Sequence, residues 1–384
     1  MSKQAGQQLL AQAIRVGENL PVSVYADNGM LLLGRGHYVL TEAQRARLLA
    51  HSESGPAQQG AEAAIPGRAP ANDAPRTLNP FEELLHLARR LNTLLAHPLA
   101  TSGFEEKVRA LASDIGMLAR RAPDAMIASL LLAPIVRYAS MHSVHVALLA
   151  ALIAQRLPLE NTEREALLCA ALTMNIAVPG LMDTLHGQQA PLTPSQREEI
   201  DAHPLLGSAI LRESGVTDEC WHTLVQQHHE RHDGTGYPLG QGAGALDALV
   251  PLLQLADVVA AKLAPRSYRC AQLPQLALRQ VFSANTGQDS ARFVALMVKE
   301  LGIYPPGSFV RLANGEIGVV LARRDKATEP FVAALRKENG PPYGDPLLRE
   351  TRQASFAVSC AVAPQAAGVR TAYLSTLWRT TLPA

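Results

Sequence analysis

The chain has 384 residues, of which 47% are apolar, with 35 basic and 34 acidic side chains and a formal charge of +1. That length is enough for two or three domains with real cores. The balanced charge excludes a polymeric nucleic acid as partner, which demands a clear basic excess, but leaves room for a small anion held by a few local cations. Met1-Ser2-Lys3-Gln4 opens no apolar run, so no signal peptide is expected. The most apolar stretch, Ala125 to Val136, is short and interrupted by Pro134, so no membrane span is expected either. Cys169, Cys220, Cys270 and Cys360 lie far apart and form no CxxC pair, which predicts reduced thiols and a cytoplasmic location.

Residues 1–51 read as a small α+β module. Val22 to Tyr25 and Met30 to Leu33 flank Asp27-Asn28-Gly29, a hairpin signal because Asn and Gly tolerate positive φ. Thr41-Glu42-Ala43-Gln44 then opens a helix as a capping box. This module serves either sensing or docking, or is a packing appendage. Residues 52–79 are rich in Ala, Gly, Pro, Gln and Ser, a composition that buries too little surface to offset its ordering entropy, and read as a flexible linker.

Residues 80–302 read as an all-α domain. Leu84, Leu85, Leu87, Leu91, Leu94 and Leu95 recur mostly at three- and four-residue steps, as one face of a helix does. Thr193-Pro194-Ser195-Gln196 is a second capping box with Pro at the first helical position. Leu205 to Leu211 and Leu252 to Leu263 read as buried helix. Residues 303–384 read as a β-rich extension: Phe309, Val310 and Leu312 precede Asn314-Gly315, Ile317 to Leu321 follow, and Ser355 to Val362 is a further strand.

The chemistry concentrates in His228-His229-Glu230-Arg231-His232-Asp233-Gly234-Thr235-Gly236-Tyr237-Pro238. Adjacent histidines on a helix point about 100° apart and are able to serve neighbouring metal positions. Glu230 is placed to orient a histidine from behind. Gly234, Gly236 and Pro238 make a turn with unusual backbone demands. Taken alone, the pair of histidines reads either as a site or as ordinary surface or core residues.

This segment matches the pattern HHExxDGxGYP at every specified position, and the chain thereby resembles the HD-GYP family over about residues 135–300. The resemblance implies a mainly α fold, an HD-superfamily helical bundle, and cyclic di-GMP as ligand. It also implies a centre of two or three iron or manganese ions whose bridging water attacks the phosphodiester. By similarity, His142, His203, His228, His229 and Asp257 are the surviving metal-ligand positions. Arg266, Tyr268 and Arg269 resemble the family's phosphate-holding segment, and Gly236, Tyr237 and Pro238 its GYP turn.

The family's HD dyad sits in a segment like LLHDIGKI, and the matching stretch here is Leu172-Thr173-Met174-Asn175-Ile176-Ala177-Val178-Pro179. The histidine has become Met174, the aspartate Asn175 and the lysine Val178. Tyr138 stands where some members carry an acid. A thioether is too soft for Fe(II) or Mn(II), and a neutral amide supplies no anionic bridge between two dications. Of the metal position built on the first histidine, the dyad and the late aspartate, only His142 and Asp257 remain. The position built on His203, His228 and His229 is complete. His145 and His186 are nearby substitutes, or else packing or surface residues; Met174 reads as core filler, and His222 and His232 as solvent-facing. The expectation is a ligand-binding or partner-docking module, for instance toward a diguanylate cyclase, with weak or no phosphodiesterase activity. The alternatives are an active phosphodiesterase with a reduced metal site, or a helical scaffold that merely keeps the motif.

Overall fold

The computed structural model describes residues 14–16, 24–25, 31–33, 39, 42–51, 76–264, 274–284, 288–369, 371–378 and 380–382. The chain divides into two units, Met1–Asp73 and Ala74–Ala384.

In the first unit, strands β1 (Val24–Tyr25) and β2 (Leu31–Leu33) pair antiparallel, as the apolar runs around Asn28-Gly29 predict. The turn itself and Thr41 lie outside the described residues. Helix α1 (Glu42–His51) comes next, and Leu48 packs with Ile14, Val24 and Val39 in a small core.

The second unit opens with a difference from expectation. The last residues of the expected linker form strand β3 (Arg76–Leu78), which pairs antiparallel with β9 (Thr380–Leu382). Composition over the whole linker hides this, because the pairing partner is some 300 residues away and gives no local signal. Residues 52–75 lie outside the described residues.

Helix α2 (Pro80–Ala96) starts where Asn79 Oδ1 accepts from the Phe81 N–H, and all six leucines of its stripe are buried. Then come α3 (Phe104–Arg121), α4 (Pro123–Leu132), α5 (Tyr138–Ala154), α6 (Asn161–Thr173), α7 (Pro179–Gly187), α8 (Pro194–Glu213), α9 (Glu219–Gln227), α10 (Val250–Leu263), α11 (Pro274–Ala284) and α12 (Gln288–Leu301). The apolar run from Ala125 stops as helix two residues before Pro134, as the proline requires. No helix among the described residues is long and apolar enough to cross a membrane.

The bundle is built around α5. Every residue from Ala139 to Ala154 is buried, which its mostly apolar circumference permits. Helices α2, α3, α6, α7, α10 and α12 all pack on it. His142 and His145 thus sit inside the core. The capping box at Thr193 is formed, with Thr193 Oγ1 accepting from the Gln196 N–H at 3.2 Å and Gln196 Oε1 accepting from the Thr193 N–H at 3.0 Å. Helix α8 departs from expectation on one face: Leu205 and Leu206 are exposed, the latter by 54%. Arg109 joins three elements, with its guanidinium on Glu105 of α3, Glu165 of α6 and Asp218 at the start of α9.

The C-terminal strands β4 (Phe309–Leu312), β5 (Glu316–Ala322), β6 (Phe331–Lys337), β7 (Pro342–Glu350) and β8 (Val358–Ala361) form one antiparallel sheet in the order β7-β6-β5-β4-β8. Gly315 turns the β4–β5 hairpin at φ 80°, the conformation the Asn-Gly signal predicts. β5 lies against α4, so this sheet shares the unit of the helices.

Glu316, 3% exposed, is held by two charged bonds from Arg349, both 2.8 Å, and by the Tyr343 hydroxyl at 3.1 Å. The Arg349 bonds outweigh burial and push the carboxyl down to about 2. Its folded value lies below the ordinary glutamate value of about 4.3, so this contribution is complete above that pH. It is lost as pH falls toward 2. The expected loss across that window is on the order of 2 kcal/mol. Urea midpoints measured against pH check it: Glu316→Gln should lower stability at pH 7 and flatten the acid limb.

Candidate metal centre

The histidines that the motif and its neighbours supply come together at the junction of α8 and α9. His203 is buried in α8, and its Nδ1–H donates to the Ile200 carbonyl at 2.6 Å. His228, also buried, caps α9 just past its last residue, and its Nδ1–H donates to the Val225 carbonyl at 2.7 Å. The pair His228-His229 therefore sits at a helix end rather than within a helix. The helix stops at Gln227, because the next residues must enter the glycine-rich turn.

A carbonyl only accepts, so the nitrogen facing it carries the hydrogen. In the neutral rings, Nε2 of both His203 and His228 is then a bare lone pair, and these two atoms face each other at 3.1 Å. That separation is close to that of two nitrogens sharing one ion at about 2.0–2.1 Å from each. The ligand atoms of His203, His228 and His229 all lie within 4.8 Å of one another. Burial lowers the pKa of all three: His203 below its ordinary value, His228 well below it, and His229 to about 3, with the neighbouring imidazoles adding to the effect for His228 and His229. Near neutral pH a proton is thus a poor occupant of the gap between the lone pairs, and a metal cation is a good one. These residues fit a metal.

The other implied position is different. His142 Nε2–H of α5 donates to Asp257 Oδ1 of α10 at 2.7 Å, and His142 Nδ1 is buried with no hydrogen bond. Burial raises the Asp257 carboxyl, but the His142 bond and the electrostatic pull of the His142, His228 and His203 imidazoles outweigh it, leaving the group below its ordinary value. Tyr138 lies stacked between two imidazoles, its ring centroid 5.3 Å from His142 and 4.1 Å from His186. Met174, immediately after α6, is fully buried within the apolar core, as core filler should be. Asn175 is 8% exposed and Val178 is buried. His145 is fully within the core, its pKa pushed by burial to about 3 and its Nε2 without a partner, and it is not part of the three-histidine cluster.

The signature turn is held from three sides. Gly236 is obligatory, since a Cβ there would lie 2.4 Å from the Arg231 nitrogen and 2.5 Å from Glu230 Cα. The Tyr237 N–H donates to the His229 carbonyl at 3.2 Å, and its ring stacks on His229 at 4.6 Å. Tyr237-Pro238 is a cis peptide. Glu230 does not orient a histidine: Oε1 accepts from the Leu239 N–H at 2.6 Å and Oε2 from the Gln241 N–H at 2.9 Å. Its side-chain partners are thus two N–H groups of the loop, not an imidazole. Its own carbonyl accepts from Gln254 Nε2.

His232 is exposed as expected, but His222 is not. It is 1% exposed, bonded to Ser208 Oγ through Nδ1 and to the Val216 carbonyl through Nε2, so it ties α9 to α8 and the turn after it. The sequence reading also missed Gln227, whose amide donates to Gln241 and the Ala245 carbonyl and accepts from the Asp247 N–H. It missed Trp221 as well, whose indole N–H donates to Thr173 Oγ1, next in sequence to Met174. Arg266, Tyr268, Arg269 and Cys270 lie outside the described residues.

Residues 125–287 match the model of the HD domain family. A cyclic di-GMP phosphodiesterase of Pseudomonas aeruginosa is 30% identical over 281 residues, 70% of this chain and 66% of that protein. A 3'3'-cGAMP-specific phosphodiesterase of Vibrio cholerae is 30% identical over 172 residues, 44% of this chain and 36% of that protein. The chain therefore spans just under two thirds of the first relative and about a third of the second. Among solved structures, an HDG"Y"P protein from Bdellovibrio bacteriovorus aligns with 14% identity and a TM-score of 0.49, covering 75% of this chain and 96% of that one. The region that matches the HD domain family contains the unbroken HHExxDGxGYP segment.

Proposed function

We propose that this protein is a cytoplasmic cyclic di-GMP signalling module that binds the dinucleotide or docks a partner such as a diguanylate cyclase, and turns the ligand over weakly or not at all. The observation that carries this reading is a contrast within one domain. The turn from His228 to Pro238 is tied down by Glu230, Gly236 and Tyr237, while the dyad positions hold Met174 in the apolar core and a neutral Asn175. The names of the relatives support a cyclic dinucleotide as ligand. Arg266 and Arg269 are the proposed phosphate contacts, by resemblance, and guanidinium forks suit that task. Tyr268, Gly236, Tyr237 and Pro238 are the proposed remaining ligand contacts.

His203, His228 and His229 would hold a metal. When bound in such a site, a divalent ion lowers the pKa of a water and polarises a phosphoryl oxygen. The chain's own residues oppose a second ion. His142 and Asp257 are engaged with each other, and Asn175 brings no negative charge, so little offsets the repulsion between two dications.

A second reading is favoured by the convergence of the three histidines: a phosphodiesterase running on a reduced metal site. Calorimetric titration with cyclic di-GMP, together with turnover assays on protein prepared without oxygen and supplied with Fe(II) or Mn(II), separates the two. Binding with little product is the expected result. Sustained conversion to a linear or mononucleotide product would establish the second reading instead, and silence in both assays would remove the ligand from the proposal.

A further inference from the structure

The three histidines stand without the anionic bridge that a pair of ions needs. Their donor atoms are all imidazole nitrogens, and among the described residues no carboxylate oxygen joins the cluster. Asp257, the acid nearest in role, spends Oδ1 on His142. Two of the three tautomers are fixed by backbone carbonyls at 2.6 and 2.7 Å, so their lone pairs already point at a common centre. His229 is steadied by the Tyr237 ring. Of the positions that the resemblance assigns to a second ion or its neighbourhood, Tyr138 is stacked against His142 and His186, and Met174 belongs to the apolar core.

Donor type decides metal preference. Carboxylate and water oxygens suit manganese, whereas imidazole suits zinc, copper, nickel and iron, with affinity rising from manganese through iron to copper and falling back at zinc. Three histidines leaving one open position is a known arrangement for four-coordinate zinc. A nitrogen-only set also contributes no negative charge, so a bound dication keeps its full charge and opposes a second ion a few ångströms away.

From this we infer that His203, His228 and His229 form a self-standing mononuclear site of zinc type, not one half of an iron or manganese pair. The inference deepens the signalling reading above, from which it takes the altered dyad.

The test uses the full chain, stripped with a chelator and titrated separately under anaerobic conditions with Zn(II), Fe(II) and Mn(II), with ions per chain counted by elemental analysis. One zinc per chain is expected, bound roughly 100-fold or more tighter than Mn(II). Loading with Co(II) should give the intense visible bands of a four-coordinate ion. His229→Ala, at a half-buried position, should weaken zinc by more than roughly 100-fold, the upper loss when only the support behind a ligand is removed, and the exposed control His232→Ala should leave it unchanged. Should His229→Ala fail to fold, the stoichiometry and the Co(II) spectrum of the unmodified chain still decide. Two ions per chain, Mn(II) within tenfold of zinc, or the weak bands of six-coordinate cobalt would each overturn the inference. Cyclic di-GMP binding is measured on the same samples. One zinc without dinucleotide binding supports the metal site and removes the signalling reading; two ions with dinucleotide binding does the reverse.

Discussion

The Met174→His, Asn175→Asp double variant is expected to take up one more divalent ion than the unmodified chain, and to be the less stable protein until it does. Both positions are nearly closed to water, at 0% and 8% exposure. Replacing Met174 takes a side chain out of the apolar core, and an aspartate at 175 brings a buried charge with no positive partner assured. An uncompensated buried charge costs about 3–5 kcal/mol. A metal reverses the sign. It supplies the missing positive charge, and an ion that binds only the folded state adds about 4 kcal/mol at a thousandfold excess over its dissociation constant. The second ion also gives Asp257 a competitor for His142, so their 2.7 Å bond should exchange for metal contacts. The double variant should therefore melt well below the unmodified chain in chelator and recover most of the difference in Mn(II) or Fe(II). The unmodified chain should change little with Mn(II). Thermal melts with and without metal, paired with elemental analysis, provide the check. A double variant that gains no ion and ignores Mn(II) would show that the dyad is not the decisive loss.

The sequence spoke clearly where structure is local. The leucine stripe of α2, the Thr193 capping box and the Asn314-Gly315 hairpin each depend on residues within about ten positions of one another, and each is present. The signature segment was legible for a related reason. Its glycines and tyrosine are dictated by how the turn folds on itself: Gly236 against the Glu230-Arg231 backbone, and Tyr237 against His229. Long-range pairings were not legible. β3 with β9, His222 with Ser208 and Trp221 with Thr173 join segments whose approach only the folded chain defines. His222 misled because a histidine in a polar stretch reads as exposed, whereas two hydrogen bonds let it be buried. Exposure of Leu205 and Leu206 was hidden for the opposite reason: apolar runs imply burial, but a helix of twenty residues turns some of them outward.

Glu230 is where these two kinds of information collide, and its removal should lower both stability and metal affinity. The motif position suggests an orienter of histidine, yet the carboxylate, 1% exposed, gives one oxygen to each of two loop N–H groups, Leu239 and Gln241. Glu230→Ala strands both donors, at about 1–3 kcal/mol each when they stay buried. The loop then loses its tether on the far side of Gly236 and Tyr237, and with it the ring that steadies His229. The expected result is a loss of about 3 kcal/mol in stability and of about 10- to 100-fold in zinc affinity, the scale seen when support behind a ligand is removed. Glu230→Gln retains one acceptor oxygen and should fall between the two. Urea unfolding and competitive zinc titration on the same variants measure the two effects. They must move together, because one tether serves both. If Glu230→Ala lost zinc affinity while keeping its urea midpoint, the carboxylate would be acting on a histidine after all, and the loop would not need it.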